Sequence, residues 1–222
     1  MIAEILPVPT KREPVLNPVD RVSEVLFGLF MALTFVGAIS VTEAGRDDIR
    51  AVLAAALGCN LAWGLVDAVM YLVRTVADRG RQITLIRSVR SADAAAGRAL
   101  IKNSLSKVAA GLVSENEIEA VRGRVLALTD VPERPRLKAD DFLAALAVFL
   151  LVVASTFPVV LPFAFIQDVG AAMTLSRAIA LAMLFLGGLA LGRYAGYGSW
   201  KAGLMMTALG TVVVAAVMAL GG

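Results

Sequence analysis

Between Ala51 and Val73 the chain holds a predominantly apolar run that contains a single carboxylate, Asp67. About 20 such residues suffice for one helix to cross a bilayer. A charge near the middle of a spanning helix costs roughly 2.5–3.5 kcal/mol on the insertion scale. Intramembrane acids therefore face a bundle interior or a pathway rather than lipid. The run predicts a membrane helix whose Asp67 side is turned toward protein, with Asn60 two turns earlier on the same side.

Four further apolar runs share this character: Val25–Val41, Phe142–Ile166, Ala171–Leu191 and Lys201–Leu220. The chain is 59% hydrophobic and 18% charged, too apolar for a soluble domain of its size. The predicted fold is an all-α integral membrane protein with five transmembrane helices and a cytoplasmic helical insertion between spans two and three. Residues 1–22 are expected to be a proline-containing cytoplasmic arm, without the continuous apolar core of a signal peptide. Residues 23–77 carry spans one and two, 78–139 the helical insertion, and 140–222 spans three to five. The short polar connection Thr42–Arg50 predicts antiparallel neighbours for spans one and two.

Within the insertion, Gln82–Leu112 reads as one or two helices, with a break at Gly97. Ser114 and Glu117 form a capping-box pattern that predicts a helix to about Leu128. Pro132 and Pro135 mark a linker back to the membrane. Asp140 and Asp141 precede span three, where two acids suit a helix N-terminus. Pro158 and Pro162 are expected to kink or end that span. Gly188 and Gly192 give a small-xxx-small packing pair in span four.

Lysine and arginine set the orientation. Eighteen fall on the side of the N-terminus and the long insertion, against Arg46 and Arg50 on the other, with Arg177 inside span four. The N-terminus and insertion are thus expected in the cytoplasm and the C-terminus outside. Residue usage points to a bacterial inner membrane.

The chain has no histidine and one cysteine, Cys59. The commonest transition-metal ligand and the usual physiological-pH proton carrier are therefore missing. A cation or proton route has to use carboxylates, thioethers, amides or backbone. The candidates are Asp67 as membrane ligand or proton carrier and Glu24 at the cytoplasmic mouth, with Asn60, Met31 and Met70 lining the way. Asp67, Met31 and Met70 are the candidate metal contacts, since thioethers suit soft or borderline ions. Arg177 either reaches the outer interface or pairs with Asp67. Glu115 and Glu119 share a helix face, which reads as a solvated surface. No phosphate loop, nucleophile triad or nucleotide fingerprint is visible, so neither an enzyme nor a nucleic-acid binder is expected.

The segment Arg21-Val22-Ser23-Glu24-Val25-Leu26-Phe27-Gly28, the prolines Pro158 and Pro162 before Phe163-Ala164-Phe165, and the glycine-rich final hairpin resemble the vacuolar iron transporter family. The resemblance implies five spans, a cytoplasmic helical domain after span two, and a homodimer exchanging iron(II) or manganese(II) for protons. It implies no resident cofactor; the metal is the cargo. The chain departs from the family where the usual Asp-Gly of span one falls on Met31-Ala32, and where the Glu-Tyr of span two falls on Met70-Tyr71. Its insertion is basic where the family's is rich in glutamate. Asp67, one turn from Met70, is the available substitute acid. The rival reading is a non-transporting membrane scaffold or regulator whose cytoplasmic helices bind a partner or anionic lipid.

Overall fold

Residues 16–39, 46–196 and 198–220 are described in the computed structural model, with side chains for all of these except 37–39, 46–52, 55 and 56. The arm up to residue 15, the end of span one at 40–41 and the first part of the Thr42–Arg50 connection lie outside the described residues. All described regular structure is helical: α1 (Pro18–Ile39), α2 (Arg46–Ser91), α3 (Ala94–Ser104), α4 (Lys107–Leu112), α5 (Glu115–Ala127), α6 (Ala139–Phe165), α7 (Val169–Tyr194) and α8 (Ser199–Ala219). Among the described residues three helices, α6, α7 and α8, are long and apolar enough to cross a membrane.

The chain divides into two units, one formed by residues 1–71 and 140–222, the other by 72–139. In the first, α1 starts at Pro18, where a missing N–H costs nothing. Asn17 caps it by accepting the Asp20 amide at 2.9 Å. The helix is central rather than peripheral: Leu29, Leu33 and Val36 are buried and pack with Val159 of α6 and Ala180 and Leu184 of α7. α7 and α8 form a hairpin closed at Gly196, whose φ of +76° is the left-handed conformation glycine tolerates best. A Cβ at Gly188 would stand 2.7 Å from the Ala202 carbonyl oxygen and the Gly203 Cα, so the hairpin depends on backbone-to-backbone approach. Phe185 and Trp200 close its other side edge-to-face at 5.0 Å.

α6 shows the pattern of a lipid-facing span. Its buried stripe runs from Asp141 through Ala144, Val148, Val152, Ser155 and Thr156 to Val159 and Pro162. Phe142, Leu146, Leu150, Phe157 and Leu161 remain exposed. Polar groups inside and large apolar groups outside suit a hydrocarbon environment, not water. Pro158 and Pro162 do not end α6, which continues to Phe165. Asp168 accepts the Ala171 amide at 2.7 Å and starts α7 as its N-cap.

The second unit has its own core of Val89, Ile101 and Ile118. The predicted break at Gly97 lies elsewhere: α2 ends at Ser91, and Asp93 caps α3 by accepting the Ala96 amide. Gly97 sits inside α3, buried, with Arg122 and the Val89 carbonyl within 4 Å of where a Cβ would be. It serves packing rather than termination. The Ser114–Glu117 capping box is present in both directions and opens α5. The return segment lies along α2, fixed where Arg79 donates to the Arg136 carbonyl at 2.7 Å and Arg87 to that of Glu133 at 2.8 Å.

Candidate functional site between α1, α2 and α6

The contacts that α1 and α2 make with α6 fix their register. α2 runs antiparallel to α6. Its Leu53 packs with Val160 and Phe163, Asn60 meets Thr156, Gly64 faces Phe149 and Val153, and Tyr71 packs on Ala144 and Val148. α1 runs parallel to α6, with Leu16 against Ala144 and Val148 and Gly28 against Val152 and Ser155.

This register puts the predicted residues on two levels. Glu24 lies one turn before Gly28, and Asp67 lies between Gly64 and Tyr71. Both are level with residues 148–150 of α6, one on each flanking helix, and both are partly buried. Asn60 stands at Thr156, about 10 Å further along at 1.5 Å per residue. Met31, three residues after Gly28, belongs to that second level.

Asn60 is 2% exposed. Its Nδ2 donates to Thr156 Oγ1 at 2.9 Å, and that hydroxyl donates to the Val153 carbonyl at 2.8 Å. Asn60 Oδ1 is buried and has no hydrogen-bond partner among the described residues. An orphaned buried acceptor costs about 1–3 kcal/mol. Beside it, Ser155 donates to the Val152 carbonyl at 2.7 Å and Ser176 of α7 to that of Val159 at 2.5 Å. Pro158 and Pro162, lacking N–H groups, leave the carbonyls of residues 154 and 158 without their helical donors. Among the described residues, four of the five buried polar side chains, Asn60, Ser155, Thr156 and Ser176, thus lie at or beside the turn at 155–159.

Asp67 and Arg177 do not pair. Arg177 is level with Val159, roughly 15 Å along α6 from the Asp67 level by helical rise. Its Nε and Nη2 are buried without hydrogen-bond partners among the described residues. Asp67 makes an interaction with another group. Helical spacing places Asn60, Trp63, Gly64, Asp67, Met70 and Tyr71 along one side of α2, and the structure splits them into two faces. Asn60, Gly64 and Tyr71 turn to α6, whereas Met70 is 46% exposed and Trp63 is exposed beside it. Met70 therefore lies on the outer surface of this chain and does not join Met31 in an interior route. Met31 is half-buried, and its carbonyl accepts the Thr34 hydroxyl at 2.6 Å.

No family model and no curated protein matches this chain.

Sequence reasoning missed Asp141. It stands in the first turn of α6, as expected of a helix-start acid, but it is 7% exposed and on the same buried stripe as Val148 and Thr156. Spacing carried the signal: Asp141, Val148, Val152 and Ser155 recur at helical intervals of seven, four and three. Among the described residues, no group of three or more His, Cys, Asp or Glu stands close enough to hold a metal ion. Two glutamates of the insertion, Glu115 and Glu119, are engaged in ion pairs. Glu115 accepts from Lys102 at 2.7 Å, and Glu119 from Arg122 at 2.8 Å and Arg98 at 3.1 Å. These pairings hold both carboxyls below the usual carboxylate range, and the Ser114 hydroxyl and amide do the same for Glu117.

Proposed function

We propose that this is a five-span membrane transporter of the vacuolar iron transporter kind, exchanging iron(II) or manganese(II) for protons. The observation that carries the reading is the pairing of two levels along α6. Glu24 and Asp67 supply carboxylates at one level. Asn60, Thr156 and the proline-freed carbonyls supply neutral oxygens at the next. Hard and borderline divalent cations bind oxygen donors, and a carboxylate in a membrane bundle is a cost that a purely structural packing does not require. Cargo would enter from the cytoplasmic end past Asp141 and Glu24, exchange with a proton at Asp67, and pass the amide oxygen of Asn60. α1 and the first part of α2 are the remaining two spans in this reading. The apolar outer face of α2, with Trp63 and Met70, is where a second copy would complete a homodimer. The N-terminus and the basic insertion lie in the cytoplasm of a bacterial cell, following the lysine and arginine asymmetry.

The test is uptake of iron(II) and manganese(II) into proteoliposomes, with and without an imposed pH gradient. Wild type is expected to give gradient-dependent flux, and Asp67→Asn and Glu24→Gln to lower it at least tenfold. Absence of flux for both metals from folded, reconstituted wild-type protein would overturn the proposal and favour a non-transporting scaffold.

A further inference from the structure

The strongest unassigned feature of the 72–139 unit is α4. This helix turns Val108 and Leu112 outward, 74% and 80% exposed. They stand four residues apart and so share one face, which Lys107 and Gly111 complete. Ala109 and Ala110 form the half-buried opposite side. Water gives no reason to present two large aliphatic side chains this way.

Charge selects among occupants. The unit carries thirteen Lys and Arg against seven Asp and Glu, a net +6. Residues 94–114 hold Arg98, Lys102 and Lys107 and no acidic residue. Arg98 and Lys102 are taken up by Glu119 and Glu115, so Lys107 is the cation left for an outside partner on this face. An apolar pair edged by a free cation matches an anionic bilayer surface, where aliphatic side chains enter the acyl boundary and lysine stays among headgroups. The chain also favours this partner: α6, a helix able to cross the membrane, begins at Ala139 directly after the unit, so a bilayer is present at high effective concentration.

We propose that α4 is an interfacial anchor that docks the 72–139 unit on anionic lipid through Val108, Leu112 and Lys107. The proposal does not depend on transport.

The test uses the full chain in nanodiscs. Cys59 is replaced by serine, and an environment-sensitive fluorophore is placed on Leu112→Cys, with Asn116→Cys on the exposed side of α5 as the control. In discs containing phosphatidylglycerol, the label at 112 is expected to shift to the blue and to be quenched by brominated lipid acyl chains. The label at 116 should stay in water. Lys107→Glu should weaken quenching at least threefold, as should replacing the anionic lipid with phosphatidylcholine. A label at 112 that is solvent-exposed in both lipids would overturn the proposal. So would shielding that scales with the number of copies per disc rather than with lipid charge, which would assign the face to a second copy of the chain.

Discussion

Gly28 is a point of close approach between α1 and α6, and adding one methyl group there tests the register on which the site rests. A Cβ at Gly28 would collide with Ser155 Oγ and stand 2.6 Å from the Val152 carbonyl oxygen and 3.3 Å from its carbon. Ser155 can rotate, but the Val152 carbonyl belongs to a helix and cannot. α1 would have to retreat by about 1 Å to restore an ordinary separation of roughly 3.5 Å, and a gap of that size forfeits a quarter to a half of each neighbouring contact. Overpacking of this kind costs about 1–3 kcal/mol, and the gain in helix propensity from Gly to Ala returns about 0.5–1. The net expectation for Gly28→Ala is a loss of about 1.3 kcal/mol, or roughly tenfold in the folding equilibrium. Gly64 is the internal control. Its Cβ would meet Phe149 Cδ2 at 3.2 Å and Val153 Cγ2 at 3.3 Å, side-chain atoms that can give by tenths of an ångström, and the Phe149 carbonyl oxygen at 3.5 Å, an ordinary contact distance. Gly64→Ala should therefore stay within about 0.5 kcal/mol of wild type. The assay is reversible unfolding in mixed micelles, followed by the fluorescence of Trp63 and Trp200. Adding Ser155→Gly to Gly28→Ala should recover only part of the loss, because the carbonyl clash remains. Equal stability of Gly28→Ala and wild type, or an equal loss from Gly64→Ala, would refute the register.

Asn60→Leu separates stability from transport. It removes one hydrogen bond of about 1 kcal/mol together with an orphaned acceptor of similar cost, so unfolding should change by less than about 1 kcal/mol. Metal flux, measured in the same preparation, should fall at least tenfold. Ser114→Ala removes half of the capping box and should cost about 1 kcal/mol, read as faster amide hydrogen exchange in α5 but not in α7. Acid should loosen the 72–139 unit selectively. Glu115, Glu117 and Glu119 are held below their usual value in the folded chain, so their contribution is complete above the ordinary carboxylate range. It is lost as pH falls through the lowered values, and exchange in α3 and α5 should accelerate below about pH 4.5. High salt should produce a similar but smaller effect, since these pairs are exposed. Gly188→Leu, placed where α7 and α8 meet backbone to backbone, should prevent the final hairpin from closing, seen as increased protease cleavage near Gly196.

The helices and most of their ends were legible in the sequence because their causes are local. Apolar runs of spanning length, the Ser114–Glu117 box and the two prolines of the return segment each act within a few residues. The boundary at Ser91 was missed for an equally physical reason. Gly97 is a helix breaker only when its missing side chain serves conformation, and here it serves the approach of Arg122. Local sequence does not distinguish the two uses. The polar seam along α6 was half legible. Asn60 and Asp67 stood out because polar groups in apolar runs are rare, yet sequence spacing alone placed Met70 and Trp63 on the same stripe. A helix face about 100° wide cannot hold Asn60, Trp63, Gly64, Asp67, Met70 and Tyr71 together, and only contact with α6 decides which turn inward. Asp141 and Ser155 were hidden by ordinary explanations: an acid at a helix start caps a dipole, and a serine bonds its own helix. Each explanation is correct for the group taken singly. Their common position on the buried stripe of α6, which runs on past the levels of Glu24, Asp67 and Asn60 on two other helices, is a property of tertiary register. It is this shared stripe, and not any single residue, on which the proposed cation route rests.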